Sequence, residues 1–107
     1  MQPEEYIESF FREVKSQLLD AQIARDERSA RYKRSEVAAK WSDDLWHIRL
    51  VEGDHDPVLR QYNPANARST QSAANYFVDA LRRANGEEVP PREPTNVRGF
   101  RKRSSPA

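Results

Sequence analysis

The sequence predicts an all-α fold: an elongated helical hairpin or small bundle, dimeric, with a disordered C-terminal tail. Three observations carry this expectation. An apolar stripe recurs at helical spacing in the first segment, no Gly or Pro interrupts residues 4 to 52, and a second apolar stripe near the end is bracketed by helix start and stop signals.

Pro3 stands where a first-turn proline fits, and Glu4 and Glu5 follow at the positive end of the helix dipole. Ile7, Phe11, Val14, Leu18 and Ala21 then alternate steps of four and three, with Phe10 and Leu19 widening the stripe. Such a stripe reads as a core or dimer seam. The register fails at Arg25 and Arg28, and a second one takes over at Ala30, Val37, Trp41, Leu45 and Ile48, with Arg34 at the intervening position. One long drifting helix and two helices meeting near residues 25 to 31 both fit this pattern.

From Leu45 the spacing is ambiguous, because Trp46, Ile48 and Leu50 also alternate with His47, Arg49 and Val51 as in a strand. Helix through Val51 continues the preceding stripe. The alternative is a hairpin over 45–62, turning at Gly53-Asp54-His55-Asp56-Pro57 and returning along Val58 to Tyr62.

Asn63-Pro64 reads as an N-cap with a first-turn proline, and Asn85-Gly86 as a stop with Arg82 and Arg83 in the last turn. Thr70, Ala73, Ala74, Phe77, Ala80, Leu81 and Ala84 form the stripe between them, its alanines suited to close helix packing. After Gly86, prolines and charges dominate. The chain therefore divides into a helical domain over 1–85 and a Pro-rich basic tail over 86–107, expected to be disordered.

Hydrophobic residues make up 36% and charged residues 33%, and cysteine is absent, which excludes disulfides, thiolate catalysis and thiolate zinc sites. A chain of 107 residues builds a thin core, and oligomerisation is the expected supplement. No apolar run approaches the roughly 18 residues of a membrane span. With an acidic start in place of a basic signal peptide, the expected location is the cytoplasm, with the nucleus as a second compartment. The net charge of +1 hides alternating blocks: −3 over 1–24, +3 over 25–40, −4 over 41–56, +3 over 57–85 and +2 over 86–107.

No glycine-rich phosphate loop or nucleophile elbow is present, so no enzyme is expected and no cofactor. His47, four residues after Asp43, and His55, between Asp54 and Asp56, lack a full set of metal ligands and read as surface and turn residues. Asp43-Asp44 read as a helix start after Ser42 or as a solvated face.

The basic residues are more informative. Arg25, Arg28, Arg31, Lys33, Arg34 and Lys40 cluster on about four helical turns, and Arg60, Arg68, Arg82 and Arg83 form a second group. Side by side they would line a phosphate-tracking surface. Asp26, Glu27 and Glu36 offer the competing reading, an ion-paired solvated face. In the tail, Arg98, Arg101, Lys102 and Arg103 interleave with Gly99 and Phe100, joining cations to a stacking ring.

The function expected from these residues is non-enzymatic binding of nucleic acid, structured or double-stranded RNA above all, by a homodimer with Arg-rich faces. That architecture resembles the small dimeric helical proteins with which some RNA viruses mask double-stranded RNA from silencing. The alternative is a protein-interaction adaptor that docks a partner through the Phe10, Phe11, Val14 and Leu18 face or the Trp41, Leu45 and Trp46 cluster. The residues expected at a dimer or partner interface are Ile7, Phe11, Val14, Leu18, Trp41 and Leu45.

Overall fold

The first helix forms where its signals place it. In the computed structural model, which describes residues 2–52 and 58–92, helix α1 spans Pro3–Gln17. The Glu5 carboxylate accepts a hydrogen bond from the Gln2 N–H at 3.0 Å, satisfying a donor that the first turn leaves orphaned. Tyr6, Ile7, Phe10, Phe11 and Val14 are buried. Leu18 and Ala21 are buried too, but outside the helix, because the chain turns back after Gln17.

Beyond α1 the chain builds a sheet, and the all-α expectation is overturned. Strands β1 (Gln22–Ala24), β2 (Ser29–Tyr32), β3 (Ser35–Ser42), β4 (Leu45–Glu52) and β5 (Leu59–Tyr62) form one antiparallel sheet in the order β1-β2-β3-β4-β5. The fold is mixed α/β, so the expected helical domain over 1–85 is not helical through its middle, and no long or broken helix crosses residues 25–31. The likeness to all-helical RNA-masking proteins falls with it.

The physical reason lies in the turns. Lys33-Arg34 and Asp43-Asp44 are two-residue hairpin connections, with φ of 55° at Lys33 and of 56° and 62° at Asp43 and Asp44. Positive φ at both Asp43 and Asp44 is the type I′ geometry that matches the twist of paired strands, and Asp tolerates it better than most side chains. Neither turn uses Gly, so the stretch carries no conventional punctuation. The turn at Asp43-Asp44 pairs Trp41 with Trp46, and that spacing of five joins two period-2 runs into an apparent helical register.

One face of the sheet is apolar. Ile23, Ala30, Val37 and Leu50 lie in one row and Ala39 and Ile48 in the next, whereas Arg31, Lys40, Arg49 and Gln61 point to the exposed side. The hairpin alternative over 45–62 matches β4 and β5, and its turn at 53–57 lies outside the described residues.

Helix α2 (Ser69–Ala84) closes the core. It starts later than its expected Asn63-Pro64 cap: the Asn63 side chain accepts the Ala65 N–H at 2.9 Å, forming a turn that delays the helix. The stop at Asn85 and Gly86 forms as expected, with Gly86 at φ 77°. Ala73, Ala74, Phe77, Val78, Leu81 and Ala84 are buried against α1 and the apolar sheet face. Phe10 and Phe77 meet edge to face at 6.0 Å, and Trp46 is fully buried with its indole N–H donating to the Pro3 carbonyl at 2.9 Å.

Candidate interaction groove

α2 lies across β3 and β4, and α1 packs beside it toward β1. The sheet ends at β1, whose outer edge has no strand neighbour among the described residues. Between that edge and the outer flank of α1 runs a groove of about 980 Å³. Its apolar lining comes from Ile7, Phe11, Leu19 and Ile23. Ile7 and Phe11 also face the core and are nearly covered, whereas Leu19 is 75% exposed, the largest exposure of any large apolar side chain described.

Its two ends are tied. At one end the ammonium of Lys15 donates to the Leu19 and Ala21 carbonyls, each at 2.7 Å, fixing the α1–β1 connection and hence the position of Leu19. At the other, the β1–β2 turn is joined to α1 by Arg25 to Glu8 at 3.4 Å and Arg28 to Glu4 at 2.6 Å. Arg28 adopts φ 50° and sets its guanidinium 5.4 Å from the Trp46 ring centroid. Both ion pairs are solvent-exposed, so each contributes only about 0.2–1 kcal/mol. They shape the groove's mouth more than they stabilise the fold.

The expected basic cluster is dispersed by the meander. Arg25 and Arg28 sit at the groove, Arg31 pairs with Glu36 at 3.1 Å on the open sheet face, and Lys33 pairs with Glu87 at 2.7 Å at the β2–β3 turn. The Glu87 carboxylate, hydrogen-bonded first by Lys33 and then by Tyr32, titrates below its ordinary range, and Lys33 is raised by the same contact. The Arg34 backbone N–H donates to the Asn85 side chain at 2.8 Å. Lys40 stands on the open sheet face. These six cations therefore form no single surface: carboxylates beside the strands take the place of the continuous helical face expected from their spacing.

The second group also divides. Arg60, at the β5 edge, places its guanidinium 4.6 Å from the Tyr76 ring centroid. Arg68 precedes α2, Arg83 is exposed near its end, and Arg82 reaches the Gln17 carbonyl at 3.4 Å. Arg98, Arg101, Lys102 and Arg103 lie outside the described residues, as does residue 93 onward. Nearer the helix, Arg92 makes two hydrogen bonds to the Asp79 carboxylate at 2.8 and 2.9 Å and one to Gln17 at 2.9 Å.

Of the expected interface residues, Ile7, Phe11, Val14 and Leu18 are consumed by the core of their own chain. Leu45 is half-buried, and Trp41, 38% exposed, packs its ring 5.2 Å from Trp46. Leu19 and Ile23, the apolar contribution to the groove from outside α1, carried no usable signal: Leu19 reads as a widening of the helical stripe, yet it lies in the connection after α1, and Ile23 lies on a strand of three residues.

His47 is on β4, not a helix, where Nε2 contacts the Ser42 carbonyl at 3.0 Å and Nδ1 the Gln61 side chain at 3.3 Å. Among the described residues no three His, Asp or Glu side chains gather as metal ligands. No helix among them is long and apolar enough to cross a membrane. Comparison with known proteins returns no match to a family model, a curated sequence or a solved structure.

Proposed function

We propose that the protein is a non-enzymatic protein-interaction module that docks a partner in the groove between α1 and β1. The observation that carries this reading is Leu19, held 75% exposed beside an unpartnered sheet edge and above Ile7, Phe11 and Ile23. An apolar side chain fixed in that setting gains by transfer from water, at roughly 25 cal/mol per Å² covered. Polar groups at the rim supply orientation, the usual division of labour at a binding site. Panning a random peptide library on the folded protein tests the reading. Enriched peptides should bind the parent and lose binding to Leu19→Asp; absence of enrichment, or equal binding to both proteins, would overturn it.

A second reading retains nucleic acid, on the α2 side. Arg60, Arg68 and Arg83 have no carboxylate partner among the described residues, and Tyr76 is 37% exposed beside Arg60. Cations with a stacking ring suit a sugar-phosphate backbone. A mobility shift with duplex and single-stranded RNA across a salt titration tests it, and Arg60→Ala with Arg83→Ala should flatten the salt slope by about one unit per lost contact on a duplex.

A further inference from the structure

The groove's geometry specifies the form of its ligand. We infer that the partner contributes an extended segment that adds to β1 as a sixth strand, with alternate apolar side chains turned into the groove; this rests on the protein-interaction reading above. β1 is the terminal strand of the sheet, and its outer backbone groups have no strand to bond among the described residues. An unpaired edge is a template for another chain, which in native proteins is either blunted or used. Of the usual blunting devices Gln22-Ile23-Ala24 has only its shortness, three residues, and holds no proline, no charge and no bulge.

The α1 wall of the groove is long enough for a strand. The lining residues of α1 run from Glu4 to Ser16, about 18 Å of helix axis, the length of about five strand residues. A strand about 4.8 Å outside β1 would turn every second side chain toward α1, on the side that carries Leu19 and Ile23, and the others toward the open face of the sheet. A helical ligand would leave the β1 backbone unpaired.

The rim adds a charge requirement. Glu4 and Glu8 are already held by Arg28 and Arg25 and the Lys15 ammonium by two carbonyls, whereas Arg12 and Asp26, which also line the groove, have no ion-pair partner among the described residues. The fitting segment therefore has apolar residues at alternate positions and a carboxylate that reaches Arg12.

Peptides enriched on the parent protein test this in three readouts. Their sequences should show apolar residues at every second position with an acidic residue. Binding should slow amide hydrogen exchange within Gln22–Ala24, and N-methylation of alternate peptide bonds should abolish binding while methylation of the intervening ones is tolerated. Arg12→Glu should weaken acidic peptides about tenfold and leave their acid-to-amide variants unchanged. Helical spacing in the peptides, unchanged exchange in β1, or indifference to N-methylation would overturn the strand inference while leaving the groove a protein-binding site. No enrichment at all would instead remove the reading on which it rests. Doubling of the chain mass in light scattering without peptide, lost in Leu19→Asp, would replace the partner's segment with a second copy of this chain and overturn the inference.

Discussion

The Asn85 side chain donates to the hydroxyl of Ser35 at 2.8 Å, across 50 residues of sequence, and so fastens the end of α2 to the β2–β3 hairpin. The same amide donates to the Leu81 carbonyl at 2.8 Å and the Tyr32 carbonyl at 3.0 Å, and its oxygen accepts the Arg34 N–H at 2.8 Å. Ser35 is fully buried. A residue that only stops a helix would need none of these partners.

Replacing Asn85 should therefore destabilise the fold beyond the loss of a cap. Asn85→Ala removes the acceptor of the Arg34 N–H and the amide donor to Ser35, and leaves the Tyr32 and Leu81 carbonyls to share the single Ser35 hydroxyl proton, at a cost of about 1–3 kcal/mol. Asn85→Asp should cost more at neutral pH, since it sets a carboxylate against the Tyr32 and Leu81 carbonyls. Urea denaturation of the three proteins checks both the loss and the order.

The Asp43-Asp44 turn gives the opposite sign. Both residues hold positive φ, which Gly adopts without steric cost. Asp44→Gly should stabilise by up to about 1 kcal/mol, and Asp44→Val should destabilise by more than that. A Gly variant no more stable than the parent in thermal unfolding would contradict a type I′ turn here.

Acid should weaken the link between the β2–β3 turn and the segment after α2. The Glu87 carboxyl is lowered from 4.5 by Lys33 and Tyr32. A depressed carboxyl contributes stability that is complete above its unfolded value and is lost as pH falls through the folded one. Glu13, lowered by hydrogen bonds from Gln71 across on α2 and from Gln17 within α1, acts in the same direction. Glu87→Gln should thus be less stable than the parent at neutral pH and equal to it once pH lies below both values. Parallel denaturation curves across that range would count against the contact.

Part of this architecture was legible in the residues. Pro3, Glu4 and the Ile7-to-Leu18 stripe locate α1, and the Ala73-to-Ala84 stripe with Asn85-Gly86 locates α2, because each helix has an exposed side and a buried one and so shows its period. The sheet was hidden for two reasons. Its short turns use Lys, Arg and Asp where Gly is the usual marker, and Ala30, Val37, Trp41, Leu45 and Ile48 fall at near-helical intervals although Leu45 lies on the opposite face from Trp41. The basic cluster failed with the helix. Side chains at 25, 28, 31 and 34 share a face only on a helix; on strands and turns they scatter toward Glu8, Glu4, Glu36 and the Asn85 region. The groove was illegible because it needs Leu19 and Ile23 beside α1, a juxtaposition made by the chain reversal after Gln17.

Substitutions at Leu19 should separate binding from folding. Its side chain projects from a connection and is largely exposed, so Leu19→Asp should change stability by no more than about 0.5 kcal/mol. Phe11→Ala, by contrast, removes a core ring and should cost about 3–5 kcal/mol. Equal losses from the two substitutions would place Leu19 in the core and not at a site.

Whether the groove beside Leu19 is the docking site is decided by amide chemical-shift mapping of the full chain titrated with a peptide enriched on it, beside a titration with duplex RNA. Shifts on peptide addition should be confined to α1, Leu19 and β1, and Leu19→Asp should abolish them with the parent's spectrum otherwise preserved. Peptide shifts spread over α2 or the open sheet face, or saturable RNA shifts at Arg60, Tyr76 and Arg83 with no peptide response at Leu19, would contradict a docking groove between α1 and β1.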